Sequence, residues 1–233
     1  MTQVVTLVGK EVRALFTSPI AYAVIAVFVV LSGYTFTVSL IVSKQATLVH
    51  IFFQAAVQLI LLVPLITMRQ FAEERRSGTL ELLLTAPLRE IDIVLAKFIA
   101  CMVVLAVMTS LTLIYAVVLG IYGDPDWGPI YSGYVGLFLL GAALVAIGLM
   151  TSSMVSNQII AALLSLSIFL VLWIIDYLGW LLPDPFNALF VNLSLLVHFR
   201  PFATGSVFLS DAGYFVSVTL LCLFVSVRAL AWR

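Results

Sequence analysis

The chain has 233 residues, of which 64% are hydrophobic and 9% are Asp, Glu, Lys or Arg, and its formal net charge is zero. A soluble domain carries roughly 25% charged residues, so this composition excludes a soluble globular protein. The balanced charge gives no attraction to nucleic acid or to an acidic substrate, and the two cysteines, Cys101 and Cys222, fall inside apolar runs where they read as small buried hydrophobes.

Residues 1–18 come first. Val4, Val5, Val8, Val12, Leu15 and Phe16 repeat at helical spacing, while Gln3, Thr6, Lys10, Arg13 and Thr17 take the other face. The pattern predicts an amphipathic helix lying along the inner membrane surface. The apolar run that follows is too long for the core of a cleaved signal peptide and has no A-x-A-like site. Ser18-Pro19 breaks the surface helix and opens the crossing helix, since proline suits a first helical turn. The two helices form an elbow.

Against the roughly 20 residues needed to cross a bilayer, six apolar stretches qualify: 19–42, 51–68, 98–119, 133–155, 159–175 and 214–231. In lipid every backbone group needs an internal partner, and no strand-type alternation is present, so these are helices. The predicted fold is an all-α integral membrane protein with six transmembrane helices. On the second, Gln54 and Gln58 lie one turn apart ahead of Pro64. They either line a polar route through the membrane or hold two helices together.

Between the second and third spans, residues 69–90 gather Arg69, Glu73, Glu74, Arg75, Arg76, Glu81, Arg89 and Glu90. The second span can continue as far as Arg76, with Glu73 and Arg76 one turn apart as a surface pair. Ser77-Gly78 stops it, Thr79 can cap a new short helix with Glu81 near its positive end, and Pro87 ends that helix. Leu80, Leu82, Leu83 and Leu84 then stand beside a charge cluster. Apolar residues so displayed mark a partner surface, unless the charges only pin topology and the leucines dip into lipid.

Further along, Gly141 and Gly148 share one face of the fourth span and let another helix approach closely, inside the chain or from a second copy. Its exit, Thr151 to Gln158, is polar without a charge. The connection 176–213 is too long for a simple turn and is punctuated by Pro183, Pro185 and Pro201. Within it, Phe186 to His198 is apolar enough for a short helix tucked back into the outer leaflet, as a gate or a docking site for an envelope partner. His198 has no second histidine nearby, so no metal site is expected.

Orientation follows from the cations. With the N-terminus in the cytoplasm, Lys10, Arg13, Arg69, Arg75, Arg76, Arg89, Lys97, Arg228 and Arg233 lie inside, and only Lys44 and Arg200 outside. Both termini are then cytoplasmic. Tyr122, Trp127, Tyr131, Tyr177 and Trp180 make an aromatic belt at the outer interface.

Two function classes lose support. An ion-coupled transporter would hold carboxylates or histidines at mid-membrane, whereas these ionisable residues sit at span ends, with Lys97 able to snorkel to the inner surface. An intramembrane hydrolase needs a nucleophile with its base or a metal set, and only His50 and His198 are present. Nor is there a G-x-x-x-x-G-K-[ST] run to cradle phosphates, because Gly9-Lys10 is followed by Glu11 and has no glycine five residues earlier.

Glu74-Arg75, Gly78-Thr79, Glu81, Leu83, Pro87 and then Lys97 resemble the E-R-x-x-G-T-x-E-x-L-x-x-x-P…K run of ABC-2 type permeases, the membrane subunits of ATP-driven exporters. Six spans, an elbow helix and a long last outer loop agree with that family over the whole chain. His198-Phe199, Phe202, Gly205, Asp211 and Tyr214-Phe215 further resemble the small permeases associated with gliding motility.

The resemblance implies that Thr79 to Ala86 is a coupling helix seated in a groove of a separate cytoplasmic ABC ATPase, with Glu74 and Arg75 bracing it against the elbow. The implied coupling set is Glu73, Glu74, Arg75, Arg76, Gly78, Thr79, Leu80, Glu81, Leu83 and Pro87, with Asn157 at a second, smaller contact. ATP and Mg would be bound by that ATPase, leaving this chain neither an enzyme nor a holder of a cofactor or metal. Two ATPases need two handles, so a second permease copy is implied, either this chain or a sister subunit. The setting implied is the bacterial inner membrane. Apolar spans suit export of a lipid-like or amphiphilic substrate; the other reading is that the permease transmits force to an envelope complex without moving a solute.

Overall fold

A computed structural model describes residues 2–43, 46–79, 89–179, 183 and 186–231. In chain order these form α1 (Thr2–Thr17), α2 (Pro19–Ser43), α3 (Val49–Thr67), α4 (Arg69–Arg76), α5 (Glu90–Leu111), α6 (Leu113–Tyr122), α7 (Trp127–Met154), α8 (Gln158–Gly179), α9 (Phe186–Leu193), α10 (Leu195–Thr204) and α11 (Leu209–Ala231). No strand occurs among the described residues. Six stretches are long and apolar enough to cross a membrane: Pro19–Val42, Val49–Arg76, Glu90–Tyr122, Trp127–Met154, Gln158–Gly179 and Leu209–Ala231. The protein is an all-α integral membrane protein.

Five of these outrun the apolar windows read from the sequence, the second and third most of all. Counting apolar residues stops at Arg69, yet Glu and Arg are good helix formers and the backbone ladder continues to Arg76. The resulting 28-residue stretch is about 42 Å long, against about 30 Å of hydrocarbon, so roughly two turns project beyond the membrane. That projection is α4. The third span likewise begins at Glu90, two turns before the apolar run.

The spans form two tiers. Over their 18-residue apolar windows, those built on α7, α3–α4 and α5–α6 are 72%, 67% and 56% buried within the chain, whereas α2, α8 and α11 are 22%, 22% and 28% buried. The outer tier turns Val30, Leu31, Leu163, Val171, Leu220 and Leu221 outward. α7 is the post on which α3, α4, α5, α8, α10 and α11 pack, and glycines let its neighbours close in. A methyl group on Gly141 would overlap Leu105 of α5, and one on Gly148 would overlap Thr67 of α3. The close approach at these two positions is therefore internal.

α7 also pins a bend in the third span. The Tyr134 hydroxyl donates to the Thr112 carbonyl at 2.8 Å and accepts from Thr112 Oγ1 at 3.3 Å, at the junction of α5 and α6. There the Tyr115 amide bonds the Thr112 carbonyl three residues back, a tighter turn than the α-helix makes.

At the end remote from α4, the segment expected as one helix over Phe186 to His198 forms two. Ser194 interrupts it by capping α10, accepting from the Val197 amide at 3.4 Å, and it reaches Asp176 at 3.4 Å. His198 Nδ1 lies 2.7 Å from Asp211 Oδ1, and Tyr214 stacks on its ring at 4.0 Å between centroids while donating to the Leu193 carbonyl at 2.7 Å. Ser132 of α7 donates to the Phe202 carbonyl at 2.8 Å. Gly205 takes φ 99 against Pro129, so α10 ends in a conformation that glycine alone adopts without strain. These bonds clasp α9 and α10 onto the bundle.

Candidate functional site

α4 leaves the membrane with a buried side and an exposed side. Gln70, Phe71 and Ala72 are buried, while Glu73 and Arg76 are exposed. Its direction is fixed by Ser152, which is fully buried on α7. Ser152 Oγ accepts from the Phe71 and Ala72 amides at 3.2 Å each and donates to the Met68 carbonyl at 3.0 Å. In an unbroken helix the Ala72 amide would bond the Met68 carbonyl directly, so the hydroxyl is inserted into the ladder between α3 and α4. The sequence suggests a polar exit from Thr151 onward. Instead α7 runs on to Met154 and uses that serine internally.

The face that α1 buries differs from the predicted stripe. Val5 is 69% exposed, whereas Leu7 and Glu11 are the buried centre, flanked by Val4, Val8, Val12 and Leu15. Glu11 faces Lys97 of α5. The Lys97 ammonium donates to Glu11 Oε2 at 3.0 Å and to Glu74 Oε1 at 2.7 Å, with the Phe71 ring centroid at 5.3 Å. Lys97 is 1% exposed, so it does not snorkel to the surface. Its partners are two carboxylates on other helices, and pairing there satisfies an ammonium that burial alone would penalise heavily. The elbow helix, the handle α4 and the third span meet at this one cation.

Glu73 pairs with Arg69 rather than Arg76. Arg69 donates from Nε and Nη2 to the two Glu73 oxygens at 2.9 and 3.2 Å, the parallel geometry that a guanidinium fork favours over a single contact. Arg69 Nη1 also donates to Ser18 Oγ at the elbow break, 3.3 Å away. The handle thus touches the elbow through Arg69 and, by way of Lys97, through Glu74.

α4 ends at Gly78, whose φ of 72 is the left-handed conformation of a helix terminus. Thr79 Oγ1 bonds the Glu74 carbonyl at 3.3 Å and Ser77 Oγ at 2.8 Å, tying down the residue at which the short helix is expected to begin. Leu80, Glu81, Leu83 and Pro87, and with them the short helix expected over Thr79 to Ala86, lie outside the described residues.

Asn157 caps α8, its Oδ1 accepting from the Ile159 amide at 2.9 Å. It also lines, with Arg75, Met154, Val155, Ser156 and Ile160, a shallow pocket of about 260 Å³. Arg75 and Asn157, far apart in sequence, therefore share one surface. Gln54 and Gln58, one turn apart on α3, meet different surroundings. Gln58 is buried and its Oε1 accepts from Ser32 of α2 at 3.0 Å, while its Nε2 finds no partner among the described residues; Gln54 is exposed.

A larger cleft of about 460 Å³ opens between α1, the start of α2 and the α3–α4 junction, and is lined by Glu11, Arg69, Glu73, Glu74 and Lys97 among others. Among the described residues no group of His, Cys, Asp or Glu side chains could hold a metal ion. The arrangement is an electrostatic joint between three helices.

Sequence reasoning overlooked Glu11, Ser152 and the His198–Asp211 pair. Glu11 had a signal, a charge set four residues after Leu7 and four before Leu15 on an apolar face. Ser152 had none, since its partners are about 80 residues away.

No curated protein matches the chain. A family model described as ABC-2 family transporter protein matches residues 5–180, from the elbow helix to the end of α8. That range covers well over half of the chain and contains the whole handle junction, so the chain belongs to the ABC-2 family of transporter proteins and is a multi-pass permease of an ABC transporter.

Proposed function

We propose that this permease is driven by a separate ATP-binding subunit docked on residues 69–90, and that it exports a lipid-like or amphiphilic substrate. The observation that carries the reading is the Glu74–Lys97–Glu11 joint, at 2.7 and 3.0 Å. A push on α4 reaches the elbow helix and the third span through one buried cation rather than through flexible loops. ATP and Mg belong to the partner, this chain holds no cofactor, and its coupling residues are Glu73 to Arg76, Gly78 to Glu81, Leu83 and Pro87. The pocket shared by Arg75 and Asn157 suits a second contact with the same partner.

In this account the handle and both termini face the cytoplasm of a bacterial inner membrane, and a second permease copy, most simply this same chain, completes the transporter. The likeness of His198, Asp211 and Tyr214 to gliding-motility permeases supports a second reading, transmission of force to an envelope complex. What favours it is the clasped outer cap and its exposed tip, where Val207, Phe208 and Leu209 are 59%, 56% and 88% exposed.

The test is to purify the tagged protein from its host in mild detergent and weigh the intact complex. One ATP-binding subunit per permease is the expected result. A lone permease whose handle is cut freely by protease overturns the reading.

A further inference from the structure

At the end of the bundle remote from α4, α9 contributes no buried residue among those described. It rests on Gly179 of α8, where a Cβ would come within 3.1 Å of Val191. Among the described residues its C-terminal turn is held from outside by two side chains. Tyr214 of α11 donates to the Leu193 carbonyl at 2.7 Å, and His198 Nε2 lies 3.1 Å from the Asn192 carbonyl. The same imidazole places Nδ1 2.7 Å from Asp211 Oδ1. One ring therefore joins α9, α10 and α11.

Both ring nitrogens meet acceptors. A backbone carbonyl has no hydrogen to give and an ionised carboxylate has none either, so an imidazole with a single N–H satisfies one contact and turns a lone pair towards the other. Both bonds are made only when the His198–Asp211 pair holds two protons, and the count is the same whether the shared one sits on Nδ1 or on the carboxyl. Other contacts suit a cation here. Tyr214 lies 19° from parallel to the ring at 4.0 Å, its face available to positive charge. Asn192 stands in the last turn of α9, the negative end of that helix. α3, α7, α8, α9 and α11 pack against α10. α9 carries no titratable side chain, and α8 brings Asp176, held by Ser194 at 3.4 Å, and the exposed Tyr177. His50 of α3, Asp126 before α7 and Tyr131 and Tyr134 on it make no bond to His198 among the described residues, and Arg200 is exposed. Asp211 has no other charged partner among those residues.

We propose that His198 is a proton-operated latch on the outer cap. With two protons on the pair, the imidazolium ties α9 to α10 and α11. The Nε2 edge faces the exposed Asn192, and a proton lost from it to water leaves Nδ1–H on Asp211 and removes the Asn192 bond. Tyr214 is then the one side chain holding the C-terminal turn of α9 among the described residues. The closed cap binds one proton more than the open cap, so raising the pH favours opening and lowering it favours closure. Histidine is the side chain whose ordinary titration, near about pH 6.5, falls within the range that cells and their surroundings meet. The latch stands whichever way the chain lies in the membrane; only the side from which the proton comes, the outer compartment, rests on the orientation proposed above.

The test is electron paramagnetic resonance of a nitroxide attached at Leu189→Cys, a position 59% exposed on α9, in the purified full-length protein in lipid nanodiscs with any partners that accompany it. Cys101 and Cys222 are buried, so the label goes to the new thiol. Between about pH 5 and pH 9 the ratio of mobile to immobile label is expected to rise, by up to about tenfold per pH unit while the proton is being lost, and then to level off. A label at Tyr122→Cys, on α6, is expected not to change. His198→Gln, which does not titrate, is expected to make the Leu189→Cys ratio independent of pH. Asp211→Asn carries an amide that can donate to Nδ1, so a neutral ring makes both bonds, and α9 is expected to stay immobile across the range. A carboxylate that merely braced the cap would instead leave α9 mobile at every pH when replaced. A ratio flat with pH in the otherwise unaltered protein, a rise that survives His198→Gln, or a mobile α9 throughout in monodisperse Asp211→Asn overturns the proposal. If His198→Gln does not fold, the Asp211→Asn result decides.

Discussion

Lys97 is the side chain on which the handle turns. It is 1% exposed, with carboxylates from α1 and α4 at 3.0 and 2.7 Å. Removing one partner of a buried ion pair costs about 3–5 kcal/mol, because the remaining charges are left without compensation. Lys97→Met leaves Glu11 and Glu74 facing each other, and a loss of that size is expected as a lowered midpoint in thermal unfolding followed by intrinsic fluorescence. Adding Glu11→Gln to that variant should restore part of it, since the two sites share one interaction. Ser152 makes a second residue-scale prediction. Ser152→Ala leaves the Phe71 and Ala72 amides and the Met68 carbonyl without their shared partner, a cost of about 1–3 kcal/mol. Ser153→Ala is the control, because among the described residues Ser153 bonds only the Met150 carbonyl of its own helix, and little change is expected in the same measurement. Of these residues Lys97 was legible in the sequence as part of a family motif. Glu11 left a signal, a lone charge on an apolar face, but apolar periodicity averages over a single charge on the stripe and passes it by.

At the scale of elements, two of the six spans are bent, and both bends are held by hydroxyls of α7: Ser152 between α3 and α4, and Tyr134 between α5 and α6. The unbent α7 is therefore the reference against which α4 is aimed. Its packing makes a clean comparison. A Cβ at Gly148 would overlap Thr67, whereas one at Gly213 of α11 meets nothing within 4 Å. Gly148→Ala is expected to destabilise by about 1–3 kcal/mol through overpacking. Gly213→Ala, which gains helix propensity, should be neutral or stabilising by up to about 1 kcal/mol, and both are read as shifts of the unfolding midpoint. Hydropathy located the spans because about 20 apolar residues in a row leave little else for the chain to be. It could not locate the bends, or the break at Ser194 that divides α9 from α10, because a bend depends on which distant hydroxyl reaches the ladder. Nor did it locate where α5 begins, since charges close an apolar window before they close a helix; the end of α4 at Arg76 was legible instead from Ser77-Gly78.

For the molecule as a whole, the handle projects from one end of a bundle whose other end is clasped shut by α9 and α10. The family match over residues 5–180 agrees with the resemblance read from the run Glu74 to Lys97. Substrate and partner left no comparable mark, because apolar spans are alike for many cargoes and a docking surface is chosen by a partner whose sequence is elsewhere. If α4 is a lever, Glu74→Arg or Arg75→Glu should leave ATP hydrolysis by the assembled complex while abolishing transport, measured in proteoliposomes; unchanged transport in both would count against the lever. The most direct measurement of the central claim is photocrosslinking in the native membrane from a benzophenone residue placed at Leu83. The account predicts a covalent adduct with an ATP-binding protein, and none from the same residue at Tyr122, which is 86% exposed at the opposite end. No adduct from Leu83, or an equal one from both positions, would contradict it.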